Sequence, residues 1–415
     1  IFPVKIFLDN SAKSFQTKQV GGFTRLRCNP GNFNHLSQAI DNAQKEGEIS
    51  GLIHLAPLEL VGLAWNSDSA DAQMKLVCHS LFGILKSIEN AGLNLEMVAA
   101  ISALDGRHGN ASDRFNSISL GASGIVKSYS KENPSCRCKA LDLHPEWLSE
   151  PMNLIPRLID EFLSYSEFVE VGLDRDTRRW KLVLFDEELI SEPRELPSDE
   201  IFLVSGGGSG VTAEAIVGLC KKSKNSHARF ILLGRTELIP ETKDWLGWNQ
   251  EELETRKLKL KEEMELMEEK VTLVSWNKEW SKFVRSRDVY NTISRIETTG
   301  NFVDYFSCDV TDVKSMSKLG KKIGKEIGKV TAIIHGAGIE ESKLVKDKAW
   351  ESFDSVVRVK VIGWSSLVLA AKSDPNNKDP GPIITSLVTN EITNLRVPVM
   401  IVPGNFSIEH IAQIT

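Results

Sequence analysis

Short apolar runs rich in β-branched residues alternate with stretches of helical spacing along the whole chain. The runs include GLIHLAPL (Gly51–Leu58), MVAAISAL (Met97–Leu104), CRCKALDL (Cys136–Leu143) and KLVLF (Lys181–Phe185). They continue with IFLVSGG (Ile201–Gly207), RFILLG (Arg229–Gly234), VDYFSCDV (Val303–Val310) and VTAIIHGAG (Val330–Gly338). Near-continuous apolar runs are what strands buried on both faces require. Strands alternating with helical patterns predict βαβ units and a parallel sheet, an α/β fold. The opening IFPVKIFLDN reads as a strand from its first residue and lacks an initiator Met and the features of a signal peptide. The chain is therefore expected to be a piece of a longer protein.

The pattern also repeats itself. GLIHLAP is followed by a helical stretch, HSLFGILKSIENAG, and AIIHGAG by another, VRVKVIGWSSLVLAAK. His54 stands 29 residues before Gly83, and His335 stands 28 before Gly363. A strand and helix matched at this spacing predict two related α/β halves. A polar, acidic stretch with two prolines, FDEELISEPRELPSDE (Phe185–Glu200), separates them, giving expected domains of 1–190 and 191–415. In the second half, Asn249–Lys270 is dense in charge, with Leu253, Leu260, Met264 and Met267 near helical spacing. It reads as a solvated surface helix with a thin apolar stripe.

At 415 residues, with 41% hydrophobic and 26% charged positions, the composition is that of an ordinary globular protein of about two domains. A net charge of −6 argues against binding nucleic acid through phosphate contacts. No apolar run is long enough to span a membrane. The six cysteines are scattered, and the CRC at Cys136–Cys138 is not a zinc spacing. Reduced thiols, no metal and a cytoplasmic location are the expectation.

The chemistry is concentrated at four successive strand ends of the second half. The first carries LVSGGGSGVTAEAIVGL (Leu203–Leu219): a strand closing at Ser205, a loop with Gly206, Gly207, Gly208 and Ser209, and a helix opening at Gly210 and Val211. Glycines permit the tight turn and the close approach of a pyrophosphate to the helix N-terminus. The spacing is closer to G-x-x-x-G-x-G than to G-x-G-x-x-G, with Thr212 at the last glycine position. The next strand ends in Gly234, Arg235 and Thr236. An acid there suits a free ribose 2′-hydroxyl and an arginine a 2′-phosphate, so Arg235 points to NADPH over NADH. After the third strand, Asp309, beside Val310, is placed to bond an adenine amino group. After the fourth, His335, Gly336, Ala337 and Gly338 are read as letting the backbone close to ribose and nicotinamide. In the first half the matching Leu55 and Pro57 would obstruct that approach.

VSGGGSGVT, LLGRTEL, CDVTD and IIHGAGIEESKLV, together with SLGASGIVKSYSKENPSCRCKALDL in the first half, resemble the ketoreductase domains of polyketide and polyunsaturated-fatty-acid-type synthases. These belong to the short-chain dehydrogenase/reductase superfamily. The resemblance implies two Rossmann-like, doubly wound parallel-sheet subdomains, the first a truncated structural copy without cofactor. It implies hydride transfer from NADPH to a β-ketoacyl chain on an acyl carrier protein, with adjacent synthase domains as partners. It also implies that Lys360, in KVIG, is the lysine that lowers the pKa of a catalytic tyrosine.

The chain departs from that family after Lys360. The family continues with a strand ending in a catalytic Ser, then a Tyr. Here Tyr129, Tyr165, Tyr290 and Tyr305 all precede Lys360, and LAAKS runs into the turn-rich DPNNKDPGP. Three readings stay open: an omitted segment near Lys372–Pro382; a deletion leaving a catalytically inactive module that organises neighbouring domains; or PIITSLV as the strand itself, with Ser386 as the catalytic Ser. A free-standing reductase of a small metabolite is disfavoured by the glycine-poor first half.

Overall fold

The computed structural model describes residues 4–63, 68–110, 116–164, 168–183, 200–222, 227–267 and 271–373. These fall into two compact units, 4–183 with 339–361, and 200–338 with 362–373. The return of 339–361 to the first unit is not anticipated by a single cut near residue 190.

The first unit opens with β1 (Lys5–Leu8), β2 (Gln16–Val20), β3 (Phe23–Cys28) and α1 (Phe33–Glu46). The strands form a small sheet ordered β1-β3-β2, with β1 parallel and β2 antiparallel to β3. Then follow β4 (Gly51–His54), α2 (Ala70–Met74), α3 (Ser80–Asn90), β5 (Met97–Ser102), α4 (Leu120–Glu132), β6 (Arg137–Leu143), α5 (Pro151–Leu163), β7 (Glu170–Leu173) and β8 (Arg179–Trp180). Their sheet is ordered β4-β5-β6-β7-β8 and is parallel except for β8. β5 and β6 are buried at all but their first residues; the nearly continuous apolar run of β5 requires this, whereas β6 buries Lys139 and Asp142 among its apolar residues. Lys181–Val183, the described part of the run KLVLF, do not continue β8. Leu182 and Val183 are more than half exposed, and Lys181–Val183 have no strand partner among the described residues.

After β4, where the second half has glycines, the chain enters a short 3-10 helix, Ala56–Leu60, with Ala56 and Pro57 buried. At the ends of β5 and β6, the buried Asp142 accepts hydrogen bonds from Leu104 N and His108 N, each at 2.8 Å. Asp142 thus ties the segment after β5 to the end of β6.

The second unit contains β9 (Ile201–Ser205), α6 (Gly210–Lys222), β10 (Arg229–Gly234), α7 (Gln250–Met267), α8 (Leu273–Glu297), β11 (Phe302–Ser307), α9 (Val313–Glu326) and β12 (Ala332–His335). α10 (Trp350–Lys372) begins in the first unit and ends in the second. All four strands are parallel, in the order β11-β10-β9-β12. Phe202 and Val204 of β9, Phe230 and Leu232 of β10, and Ile216, Val217 and Cys220 of α6 form one core cluster. α7 is the solvated helix expected from its charge, with only Leu260 buried. α8 starts at a reciprocal cap between Thr272 and Ser275, the kind that satisfies orphan N–H groups at a helix start. Both halves are therefore Rossmann-like parallel-sheet α/β structures.

The repeat holds in architecture and differs in packing. Within the second unit, a Cβ at Gly363 would lie 3.0 Å from His335 Cε1. Within the first, a Cβ at Gly83 would meet Leu36 and Trp350 instead. His54 bonds Ser80 Oγ at 2.9 Å.

Candidate functional site

β9 and β12 are neighbours in the sheet, with His335 in register with Ser205. The chain leaves β9 toward β10 on one side and returns to β12 on the other. This is a topological switch point, where open α/β sheets have a crevice beyond the carboxyl ends of their strands.

Ser205 and His335 are buried, and Ser205 Oγ lies 2.6 Å from His335 Nδ1 in hydrogen-bond contact. Ser205 O accepts from Gly336 N at 2.9 Å, and its Oγ from Ala337 N at 3.3 Å. Gly206 N donates to Leu233 O at 2.9 Å. The loop after β9 is thereby tied to both adjacent strand ends. Gly206 has φ +71°, and a Cβ there would lie 2.8 Å from Ala337 N and Gly336 C. A Cβ on Gly336 would lie 2.1 Å from Thr212 Oγ1. The sequence reads Gly336 as room for a ligand; the space its missing Cβ leaves is filled by Thr212, at the start of α6. Gly207 similarly faces Val204 and Leu232.

Gly210 is different. It has φ +72°, with nothing within 4 Å of a built Cβ. Ser209, Gly210 and Val211 are exposed, so the N-terminus of α6 opens to solvent at the switch point. Gly206→Ala is expected to lower stability by about 1–2 kcal/mol from the left-handed backbone alone, with the contact to Ala337 adding to it. Chemical denaturation checks this, and an unchanged midpoint would contradict the tight packing of the two loops.

Arg235 is exposed, between Gly234 and the half-buried Thr236. Cys308 N donates to Gly234 O at 2.7 Å, linking the ends of β10 and β11. Asp309 is exposed, and its Oδ1 accepts from Thr311 N and Oγ1 at 2.8 and 2.7 Å, closing the turn into α9. Val310 is buried, 3.0 Å from the Cβ position of Gly363. Gly338 is exposed. Lys360 is half-buried on α10, and burial lowers its ammonium below the ordinary lysine value. Ser386 and Tyr165 lie outside the described residues. Tyr129 Oη donates to Glu89 at 2.8 Å, and Tyr290 is on α8.

The sequence reading notices Tyr305 only as a tyrosine in the wrong place for catalysis. Its Oη donates to Thr236 O at 2.8 Å, and its ring faces Gly208 and Gly234. An aromatic on the strand beside the arginine turn is the signal that could have found it. Among the described residues, no group of three or more His, Cys, Asp or Glu side chains could hold a metal. Among the same residues, no helix is long and apolar enough to cross a membrane.

Residues 201–379 match the family model described as KR domain. Over 204 residues the chain is 25% identical to one of the subunits of the polyunsaturated fatty acid synthase from a Thraustochytrium species, covering 48% of this chain and 7% of that one. Three solved structures resemble it over most of its length. An N-terminal ketoreductase from the macrolactin assembly line has 15% identity and a TM-score of 0.59, covering 92% of this chain and 69% of its own. The first ketoreductase of the tylosin polyketide synthase has 12% identity and a TM-score of 0.58, covering 92% and 69%. A multidomain structure from a keto acid-selecting nonribosomal peptide synthetase module, with adenylation, ketoreductase and pseudo-Asub domains, has 16% identity and a TM-score of 0.64. There the coverage is 90% and 29%. At these identities the structural likeness speaks to the fold.

Proposed function

We propose that this chain, whose residues 201–379 match the KR-domain family model, is a ketoreductase of the polyketide- and polyunsaturated-fatty-acid-synthase type that reduces a β-ketoacyl chain on an acyl carrier protein, using NADPH. The observation that carries the reading is the open N-terminus of α6 at the switch point, with Arg235 exposed at the next strand end. The residues fit a dinucleotide: Gly210 faces open space, and the backbone N–H groups that start α6 suit a pyrophosphate. When bound, NADPH supplies the hydride.

The alkoxide so formed takes its proton from water, and the chain's own residues bind the cofactor, orient it and stabilise the charge. Gly206–Val211 hold the pyrophosphate. Arg235 pairs with the 2′-phosphate, for which its planar fork is suited. Asp309 receives the adenine amino group. His335, fixed by Ser205, shapes the turn Gly336–Gly338 beside the nicotinamide ribose. Lys360 supplies a positive charge toward the oxygen that gains electrons. The parent synthase furnishes the carrier protein and neighbouring domains, and the assembly works in the cytoplasm.

The test compares NADPH and NADH. The unsubstituted chain is expected to bind NADPH the more tightly, and Arg235→Asp to reduce the ratio by about 10- to 100-fold, as for a charge-assisted hydrogen bond. Equal affinities in the unsubstituted chain would sink the 2′-phosphate role. A second reading has its own observation: no tyrosine follows Tyr305 in the sequence. It makes the chain a cofactor-binding or structural module that reduces nothing. NADPH binding without consumption of NADPH on a β-ketoacyl thioester would favour it.

A further inference from the structure

We propose that Tyr305 is a positioning residue that sets the preference for a 2′-phosphorylated nucleotide, by fixing the backbone turn that carries Arg235. The inference rests on the NADPH reading above and adds to it a residue outside the four loops.

Tyr305 is the fourth residue of β11 and pairs with Leu232 of β10, two residues before Gly234. Its ring packs against the core cluster built on Phe230, Leu232 and Val204. From there it runs toward the strand ends, into space that two glycines leave free. A Cβ on Gly208 would lie 3.3 Å from Tyr305 Cε2, and one on Gly234 would lie 2.8 Å from Tyr305 Oη. One ring therefore lies against both the pyrophosphate loop and the ribose turn.

The hydroxyl completes the link. Tyr305 Oη donates to Thr236 O at 2.8 Å, across 69 residues of sequence. Burial raises the phenol to about 12, so it stays a proton donor at neutral pH. Arg235 itself makes no hydrogen bond or ion pair among the described residues, and it is exposed. Its placement depends on the backbone to either side. That backbone is pinned at Gly234 O by Cys308 N, at Thr236 O by Tyr305, and at Ile239 N by Ser286 Oγ at 2.7 Å. Tyr305 supplies the tether adjacent to Arg235. Without it the Thr236 carbonyl exchanges with water, and the guanidinium samples positions that miss a bidentate partner. Loss of such pre-organisation weakens only the ligand that uses the arginine.

The test uses adenosine 2′,5′-bisphosphate and adenosine 5′-monophosphate as probes, by titration calorimetry on the chain and on Tyr305→Phe. That substitution keeps the ring and removes only the hydroxyl. The ratio of the two affinities is expected to fall about threefold to tenfold, the worth of one net hydrogen bond. The affinity for the monophosphate should stay unchanged. Hydrogen exchange at residues 235–239 should rise in the ligand-free variant. A preference kept in full by Tyr305→Phe, or an equal loss for both probes, would overturn the proposal while leaving Arg235 standing. A chain with no preference before substitution would remove the Arg235 reading and this inference with it. A second variant, Gly234→Ala, pushes directly on Oη and should lower the same ratio; an unaltered ratio there also counts against the proposal.

Discussion

Replacing Lys360 with methionine is expected to lower turnover of a β-ketoacyl thioester by about 10²- to 10⁴-fold, the usual worth of assisting proton transfer, with a much smaller effect on NADPH affinity. Lys360 sits on α10, three residues before Gly363, whose missing Cβ lets the helix approach His335 Cε1. The helix therefore cannot slide or rotate there without opening that contact. The ammonium is half-buried, and burial strengthens its field on any charge that develops nearby. Methionine keeps an unbranched apolar stem of nearly the same length and removes the ammonium. Stopped-flow hydride transfer and equilibrium NADPH binding separate the two effects. A variant that transfers hydride at the original rate would take Lys360 out of the reaction.

Glu161→Leu should destabilise the first unit by about 3–5 kcal/mol, the cost of leaving one partner of a buried ion pair alone. Glu161 and Lys139 are each 4% exposed at the side chain and 3.0 Å apart. Arg179 adds bonds of 2.7 and 2.9 Å to the same carboxylate. Lys139 also donates to Phe168 O at 3.0 Å. The cluster joins α5, β6 and β8. Removing the acid strands the lysine inside, whereas Arg179, half-exposed, can turn to water. The double variant Glu161→Leu with Lys139→Met should recover most of the loss, because an apolar replacement of both partners needs no desolvation of charge. Urea denaturation of the single and double variants decides it, and a single variant as stable as the original would refute the account. Acid supplies an independent check. Burial works to raise the Glu161 carboxyl, but the bonds from Arg179 and Lys139 outweigh it and hold it below its usual value. A depressed folded-state value contributes stability above the unfolded value. That contribution is lost as pH falls through the folded one. The double variant should therefore show less acid sensitivity than the original chain.

Much of the architecture was legible as local pattern. IFLVS, RFILLG and AIIH became β9, β10 and β12 because unbroken apolar runs can be satisfied only between two covered faces. The charge-dense stretch near 249–270 became an exposed helix for the converse reason. The failures are local too. KLVLF has strand composition, yet Lys181–Val183 find no strand partner after β8 among the described residues, and Leu182 and Val183 stay exposed; the rest of the run lies outside the described residues. The opening strand was read from IFPVKIFLDN and stands as β1, but its partners β2 and β3 went unforeseen, since QTKQV and FTRLRC carry too few apolar residues to announce themselves.

The sequence by itself determined that two parallel-sheet halves exist, that only the second carries glycine-rich strand ends, and that an arginine follows its second strand. These are properties of short windows, set by the periods of strand and helix and by the backbone freedom of glycine. Only the tertiary structure decided what each glycine is for. Gly206 and Gly336 make room for protein, Gly210 faces open space, and Gly208 and Gly234 admit the ring of Tyr305. It also decided that 339–361 belong with the first half. Those outcomes depend on strand register and helix packing, which bring together atoms far apart in the sequence, from Gly234 with Tyr305 to Gly206 with Ala337, and no local period encodes such a meeting.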